Sequence, residues 1–539
     1  MTGRAFLKTL VIAVASLIGS FAAARPVDPS LVKVSRLLYE NRIEEADDAL
    51  RPIESSRATD PSVQVLRGEI QFQLGSYDDA AKTLRKAVAD SRLPTTELAD
   101  ARSLLDLATA TADATRGLSE KPSPSGHFVF RYRRGKDEVL IPYASAALDQ
   151  AWAALAQDFA DPADPEAAAP KHPIRVEIYE EIADLARVST LTLREIETSG
   201  TIALCKWNRL MIVSPKALLR GYPWLDTLTH EYTHYIVSRV GRGQVPLWIH
   251  EGLAKFEEKR WRGVSGGSLS PAMEQLLSTA LAKKRLITFE QMSPSMAKLP
   301  SQEDTALAFA EVFTFVEYLH SRGGFAGIRA LVKGLSEGLV DSKALQTAFG
   351  VSFDELDHGW RASLRNRKPK TKLGPFAEKL RFQKSGSKAT AAEEDESGDI
   401  SDPKVRGFVR LGGLLRSRGR LPAAAFEYEK AATQAGTPHP LIALKLGRTY
   451  LDLNDAEKAV LALEPASELY PEWAGLQAAL GTAYLRKGDS AKAEAALEAA
   501  IATSPFDPNV HCGLKAMYEQ SKNPKLAEAS QACLLLSGR

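Results

Sequence analysis

Residues 228–237 read LTHEYTHYIV, in which His230 and His234 stand four positions apart within a largely apolar run. On a helix, residues i and i+4 share a face, so both imidazoles can reach one metal ion. Two neutral imidazole nitrogens suit Zn²⁺, which usually takes a third protein ligand and leaves one position to water. Glu231 directly follows the first histidine and can lie beside that water as a general base. The stretch therefore predicts a zinc-binding helix.

A second stretch, residues 245–254, reads VPLWIHEGLA and predicts another helix after a short glycine-containing turn. Two helices joined by a short turn are antiparallel neighbours, so the start of the second helix returns to the first. Glu251 lies 17 residues after His234 and is a candidate third ligand. His250 competes with it, although on a helix the two side chains point about 100° apart.

The pairing of H-E-x-x-H with a downstream W-x-x-E-G-x-A resembles the gluzincin metallopeptidases, and specifically the bacterial peptidase MA-like family. The resemblance extends over most of residues 120–365. It implies that Zn²⁺ is held by His230, His234 and Glu251. It also implies that peptide bonds are hydrolysed by a metal-activated water, with Glu231 as the general base.

One position departs from the family pattern. The family commonly carries a tyrosine in a later helix, where its hydroxyl is suited to donate to the transition-state oxyanion, and Phe309 stands at the corresponding position here. Three residues are alternative donors, and each has ordinary packing as its competing interpretation: Tyr318, His320 and Tyr222.

Two carboxylates are candidates for orienting the metal ligands. Asp226 lies one turn before His230 on the same helical face, and Glu258 lies two turns after Glu251. Groups that hydrogen-bond to metal ligands fix their orientation, which gives both residues a role to test. The competing interpretation is that both are ordinary surface carboxylates.

The carboxy-terminal third repeats itself with a period of 34 residues. The recurring residues are Gly413, Gly447 and Gly481; Ala425, Ala459, Ala493 and Ala527; Ala432, Ala466 and Ala500; and Tyr450, Tyr484 and Tyr518. The pattern resembles the tetratricopeptide repeat, a helix–turn–helix unit whose stacked copies bury a continuous core. We expect four repeats at residues 404–539 and two or so degenerate ones at residues 30–118. Such arrays usually bind proteins or peptides, which suggests recruitment of a protein substrate or partner.

The repeats also support a different function. The chain could be a tetratricopeptide scaffold or assembly protein of the cell envelope, whose peptidase domain binds metal but cleaves weakly or not at all. Phe309 favours this alternative, whereas the intact Glu231 argues against it, because a decayed enzyme does not need its general base to fold.

The region between the repeats is mixed in secondary structure. Its predicted strands are 127–132, 174–179, 201–205 and 210–213. Beyond residue 223 the pattern is helical almost throughout, which predicts an α+β unit. Either strand of the last pair could bind a substrate backbone by strand addition. We predict a mainly α, multidomain chain with an α+β gluzincin-type zinc peptidase domain between helical tetratricopeptide segments, and a flexible linker at residues 366–403.

The remaining features concern location and partners. Residues 1–24 combine a basic start, a short apolar run and a small-residue cleavage site, which is typical of a secretory signal peptide. After its removal we expect no membrane-spanning segment, and a periplasmic or extracellular location. Lys and Arg number 69 against 67 Asp and Glu, so no basic excess indicates a nucleic-acid partner. Cys512 and Cys533 could form an optional disulfide, leaving Cys205 as a buried thiol.

Overall fold

The computed structural model describes residues 28–160, 172–292, 296, 299–367, 398 and 400–538. The predicted signal peptide, at residues 1–24, and most of the predicted linker lie outside these ranges. The structure is 71% helical, with one small mixed sheet between helical repeat segments. The predicted fold class is therefore confirmed.

The amino-terminal region consists of five helices. They are α1 (Pro29–Tyr39), α2 (Ile43–Arg57), α3 (Pro61–Gln73), α4 (Tyr77–Ala89) and α5 (Thr95–Thr115). Helices α3 and α4 approach each other closely at Gly68, where a Cβ atom would lie 2.6 Å from Cγ of Leu84. Since real Cβ atoms do not tolerate that separation, the glycine permits the close packing of this helical hairpin.

The sheet has five strands in the order β1-β2-β3-β5-β4. They are β1 (Ser119–Pro122), β2 (Phe128–Tyr132), β3 (Ile174–Tyr179), β4 (Ala203–Lys206) and β5 (Arg209–Val213). Strands β2, β3 and β5 run parallel, while β1 and β4 flank them in antiparallel orientation. The β4–β5 hairpin turns at Trp207 and Asn208, whose φ angles are 53° and 59°. Two consecutive positive φ values are typical of a two-residue hairpin turn. Strand β4 is the last in the strand order and therefore forms one edge of the sheet.

Ten further helices complete the central region. They are α6 (Leu140–Phe159), α7 (Ile182–Arg187), α8 (Leu193–Ser199), α9 (Trp224–Val240), α10 (Leu247–Glu257), α11 (Pro271–Ala282), α12 (Phe289–Met292), α13 (Gln302–Ser336), α14 (Asp341–Phe349) and α15 (Phe353–Asn366). Helix α13 is interrupted at Gly324, whose φ of 56° is not helical. Arg367, at the start of the predicted linker, binds Glu274 at 2.7 Å and also Glu317, so this residue is anchored to the domain.

The carboxy-terminal array contains eight helices that form four hairpins. They are α16 (Pro403–Ser417), α17 (Leu421–Ala435), α18 (Pro440–Asp452), α19 (Ala456–Leu469), α20 (Ala474–Lys487), α21 (Ser490–Thr503), α22 (Pro508–Ser521) and α23 (Leu526–Ser537). Gly447 and Gly481 lie against Leu463 and Leu497, where a Cβ atom would collide with the leucine side chain. The recurring glycines therefore set the helix separation within each hairpin.

The first hairpin of the array is shifted by one residue from the 34-residue register. Its close contact is made by Gly412, where a Cβ atom would lie 2.6 Å from Cε1 of Tyr428. A Cβ atom at Gly413 would lie 3.7 Å from the Tyr428 hydroxyl oxygen, which is an ordinary contact. Similarly, Ala431 is buried and Ala432 is exposed. The predicted core positions Gly413 and Ala432 are thus wrong by one residue, because the first and second hairpins are 35 residues apart at this contact.

The sulfur atoms of Cys512 and Cys533 are bonded, which joins α22 to α23. Cys205 is a free, half-buried thiol on β4. Among the helices of the described ranges, none combines the length and apolar composition needed to cross a membrane.

The array packs directly against the central domain. The backbone N–H of Tyr222 donates to the carbonyl of Thr503 at 3.0 Å, and Nε1 of Trp224 donates to the carbonyl of Ile501 at 2.9 Å. Both acceptors belong to the last turn of α21, where helix carbonyls lack partners within the helix. Gly221 lies so close to Thr503 that a side chain would collide with its carbonyl. The central domain therefore caps the end of a repeat helix.

The amino-terminal helices are attached to the sheet by a buried polar cluster. Glu177 on β3 forms an ion pair of 2.9 Å with Arg209 on β5, and both side chains are fully buried. The Tyr77 hydroxyl of α4 donates to the same carboxylate, and Tyr179 donates to it at 2.6 Å. Although burial opposes ionisation, the charge of Arg209 and these hydrogen bonds hold the pKa of Glu177 below its ordinary value.

Removal of the charge on Glu177 should destabilise this junction. In Glu177→Gln the Arg209 guanidinium is left buried without its counter-charge, so we expect a loss of roughly 3–5 kcal/mol in the free energy of unfolding. Urea denaturation followed by circular dichroism measures this loss. Asp452→Asn is the matched control, because its ion pair with Arg416 is exposed and should contribute less than about 1 kcal/mol. Equal effects of the two substitutions would contradict the importance of the buried pair.

Candidate metal centre

Helix α9 places two histidines on one face in the domain core. Nε2 of His234 lies 3.1 Å from Nε2 of His230. The helix is buried along most of its length, so its other polar side chains need partners within the protein. The hydroxyls of Thr227, Thr229 and Thr233 each donate to the carbonyl four residues earlier. The two imidazoles are therefore presented by a helix whose threonine hydroxyls are already satisfied.

Helix α10 brings a carboxylate to the same point. Oε2 of Glu251 lies 3.4 Å from Nε2 of His230 and 3.4 Å from Nε2 of His234. The next residue, Gly252, faces α13, where a Cβ atom would lie 2.8 Å from Cγ2 of Val316. The glycine thus allows α10 to lie between α9 and α13 with Glu251 directed at the histidines.

The three ligand atoms fit a tetrahedral zinc ion. Zn²⁺ lies about 2.0–2.1 Å from nitrogen and oxygen ligands, so two ligands of one tetrahedron are about 3.3–3.4 Å apart. The observed separations among His230, His234 and Glu251 are 3.1, 3.4 and 3.4 Å. Burial lowers the pKa of His230 to about 4 and that of His234 to about 3, which keeps both imidazoles in the neutral form that binds metal. In the described residues, this is the group of side chains suited to hold a metal ion.

Glu231 lies beside the three ligands and is fully buried. Burial raises its pKa well above the ordinary value, and the charge of Glu251 raises it further. The nearby backbone amide of Cys205 acts in the opposite direction and favours the ionised carboxylate. Cys205 belongs to the edge strand β4, so that strand passes next to the predicted general base.

The carboxylates predicted to orient the ligands differ in position. Oε2 of Glu258 lies 4.0 Å from Nδ1 of His230 and 2.7 Å from Nζ of Lys255. The Asp226 carboxylate accepts hydrogen bonds from Trp261 at 2.8 Å and from an adjacent arginine at 3.2 Å. Glu258 therefore lies near His230, whereas the Asp226 carboxylate is hydrogen-bonded to the turn that follows α10.

His250 does not join the ligand triangle. Its Nδ1 lies 2.6 Å from Nδ1 of His234, on the side of that imidazole away from Glu251. The group of side chains that could hold a metal ion thus includes Glu251 and not His250.

The candidate oxyanion donors are spread apart. Phe309 is buried with its ring 6.4 Å from that of His230, which puts an apolar group at the edge of the site. The hydroxyl of Tyr318 accepts a hydrogen bond from Arg322 at 3.2 Å, and His320 packs against phenylalanine rings. Tyr222 donates to the carbonyl of Val213, and its pKa is raised by burial and then by the charge of Glu231. Of these candidates, Tyr222 is the one whose pKa is affected by the charge of Glu231.

Sequence reasoning missed the contribution of the carboxy-terminal array to this region. Burial raises the pKa of Glu472, and the charges of Lys255 and Lys259 partly offset that rise. Next to it, the guanidinium of Arg220 lies 4.1 Å from the centroid of the Trp473 ring. The turn between α19 and α20 therefore lies beside the helix that carries Glu251. The 34-residue period gave no signal for this contact, because it involves residues outside the repeat pattern.

Comparison with known proteins supports the organisation of the chain. Residues 153–366 match the Peptidase MA superfamily, and residues 31–94 and 444–508 match the tetratricopeptide repeat. No curated protein matches the chain.

Two solved structures with similarity to the chain have low TM-scores. The crystal structure of MamA is 22% identical over 28% of this chain and 85% of its own, with a TM-score of 0.23. The APC/C hetero-tetramer Cut9-Hcn1 is 13% identical over 97% of this chain and 96% of its own, with a TM-score of 0.25. Neither TM-score supports a conclusion about function. The family matches do support one about organisation: the chain contains a Peptidase MA superfamily domain flanked by tetratricopeptide repeats.

Proposed function

We propose that the chain is a zinc-dependent metallopeptidase that hydrolyses peptide bonds. The observation that carries this proposal is the ligand triangle of His230, His234 and Glu251, with Glu231 buried beside it. Two imidazoles and one carboxylate are a ligand set of catalytic zinc sites, which leave a coordination position open. The family match of the surrounding domain supports the same activity.

Glu231 and strand β4 have different roles in the proposed hydrolysis. When bound, zinc acts as a Lewis acid that activates water and polarises a carbonyl group. Glu231 accepts a proton from the attacking water and delivers it to the leaving amine. The outer edge of β4 is suited to pair with an extended substrate backbone, because β5 occupies only one side of the strand.

A second candidate function is supported by specific observations. Phe309 provides no hydroxyl to the oxyanion, and the exposed fraction of Glu231 and the three ligands is 1% or less. Both features suit a tetratricopeptide scaffold of the cell envelope that binds metal in a largely structural site. The measurements of cleavage below separate this function from peptidase activity.

The repeats and the location of the protein complete the proposal. Tetratricopeptide arrays bind proteins, so we assign them the recruitment of a protein substrate or partner. We further propose that the protein is exported to the periplasm or the cell exterior. The disulfide between Cys512 and Cys533 supports an oxidising compartment, since such bonds are rare in the cytosol.

Removal of the third ligand should release the metal. In Glu251→Ala only two histidines remain, so we expect a zinc content well below one per chain after dialysis against a chelator. Elemental analysis of the purified protein measures it. Glu337→Ala is the control, because this exposed glutamate lies at the end of α13 and should leave the zinc content unchanged. Stoichiometric zinc in Glu251→Ala would refute the assigned ligand.

Removal of the general base should separate metal binding from catalysis. Glu231→Gln keeps the size of the side chain but cannot accept a proton, so we expect full zinc content and a loss of about 10²–10⁴-fold in kcat. Cleavage of a mixed peptide library, followed by mass spectrometry, compares this variant with the wild type. Stoichiometric zinc without cleavage in either protein would favour the scaffold function. Full activity in Glu231→Gln would exclude the general-base role.

A further inference from the structure

His250 is a buried histidine that the proposed hydrolysis does not use. It precedes Glu251 on α10, but its ring is turned toward α9 and lies 4.7 Å from the ring of His234, centroid to centroid. Its Nδ1 is 2.6 Å from Nδ1 of His234, and its Nε2 is 3.1 Å from the hydroxyl of Ser238. Both ring nitrogens of His250 therefore have partners on the metal-binding helix.

The role of His234 fixes the direction of these hydrogen bonds. Its Nε2 faces the other two ligand atoms, so the lone pair for the metal must lie on Nε2 and the proton on Nδ1. That Nδ1–H donates to Nδ1 of His250, which must then be unprotonated. The proton of neutral His250 consequently lies on Nε2 and donates to the hydroxyl oxygen of Ser238. The chain runs from His234 through His250 to Ser238 in one direction.

Within the part of the chain that the structure describes, Nδ1 of the other histidine, His230, has no hydrogen-bond partner. The nearest carboxylate oxygen to Nδ1 of His230 belongs to Glu258, and it is 4.0 Å away, beyond hydrogen-bond distance. Between the two imidazoles, His234 is thus the one whose tautomer and ring orientation are set by a direct hydrogen bond. This hydrogen bond is made with His250, which directly precedes Glu251. Helix α10 therefore contributes both Glu251 and the group that orients His234.

We propose that His250 is a positioning residue, which holds His234 in the Nε2-ligating tautomer and orientation through the hydrogen-bond chain that ends at Ser238. This inference rests on the proposed metal site and adds a role for a residue outside its ligand set. Partners of this kind typically change metal affinity by about 10- to 100-fold. An ordinary core histidine would instead contribute through its volume and its ring packing.

Two substitutions of His250 separate positioning from packing. His250→Phe keeps a ring of similar size and removes the acceptor, whereas His250→Asn reduces the volume but places an amide oxygen near the position of Nδ1. Positioning predicts a zinc dissociation constant about 10- to 100-fold higher in His250→Phe and largely restored affinity in His250→Asn. Packing predicts the reverse order, because the phenylalanine fills the space and the asparagine leaves a cavity.

The experiment is a zinc titration of the full chain against a chromophoric chelator, with the melting temperature of the metal-free proteins recorded in parallel. Wild-type affinity in His250→Phe would overturn the proposal while leaving the peptidase assignment intact. Absence of zinc binding in the wild type would overturn both. Where a variant fails to fold, ¹⁵N-histidine NMR of the zinc-loaded wild type replaces it. His250 protonated on Nε2 is the expected result, and protonation on Nδ1 would overturn the proposal.

Discussion

The structure depends on the burial of two carboxylates and two imidazoles between α9 and α10. Glu231 and Glu251 are buried against the apolar core of the domain, where burial and the charge of Glu251 raise the pKa of Glu231. Taking such charges out of water costs several kcal/mol per ion unless a partner compensates. The imidazoles reduce the cost by staying neutral, which their lowered pKa values ensure. A divalent cation held by His230, His234 and Glu251 would supply a positive charge beside these two carboxylates.

That constraint explains the packing around the two helices. Gly252 lets α10 approach α13, so that Glu251 reaches the histidines without a gap in the apolar layer behind it. On the other side, the carboxy-terminal array packs over the segment that precedes α9. Ala502 of this array belongs to the same hydrophobic core as the buried face of α9. The last carbonyls of α21 need donors from outside the helix, and Tyr222 and Trp224 provide them.

The local parts of this arrangement could be predicted from the sequence, and the distant contacts could not. The spacing of His230 and His234 defines one helical face, and the turn after α9 returns Glu251 to that face. By contrast, the hydrogen bond from Trp224 to Ile501 joins residues 277 positions apart, and no periodicity records such a contact. The prediction of Gly413 as the contact position was wrong for a related reason. A strict period of 34 residues does not record the one additional residue between the first two hairpins. The orientation of His250 depends on its rotamer, which helical geometry alone does not fix.

The docking of the array changes how the repeats relate to the proposed chemistry. A tethered recruitment module would raise the local concentration of substrate without affecting the metal site. Here the array is joined to the chain immediately before the metal-binding helix, through Gly221, Tyr222 and Trp224. Its Glu472 also faces the lysines beside Glu258, which in turn lies near His230. The array therefore contacts both the start of α9 and the charged residues near the candidate metal ligands. In the proposed peptidase, the repeats would therefore pack against the catalytic domain beside α9 and also offer a surface for binding protein partners.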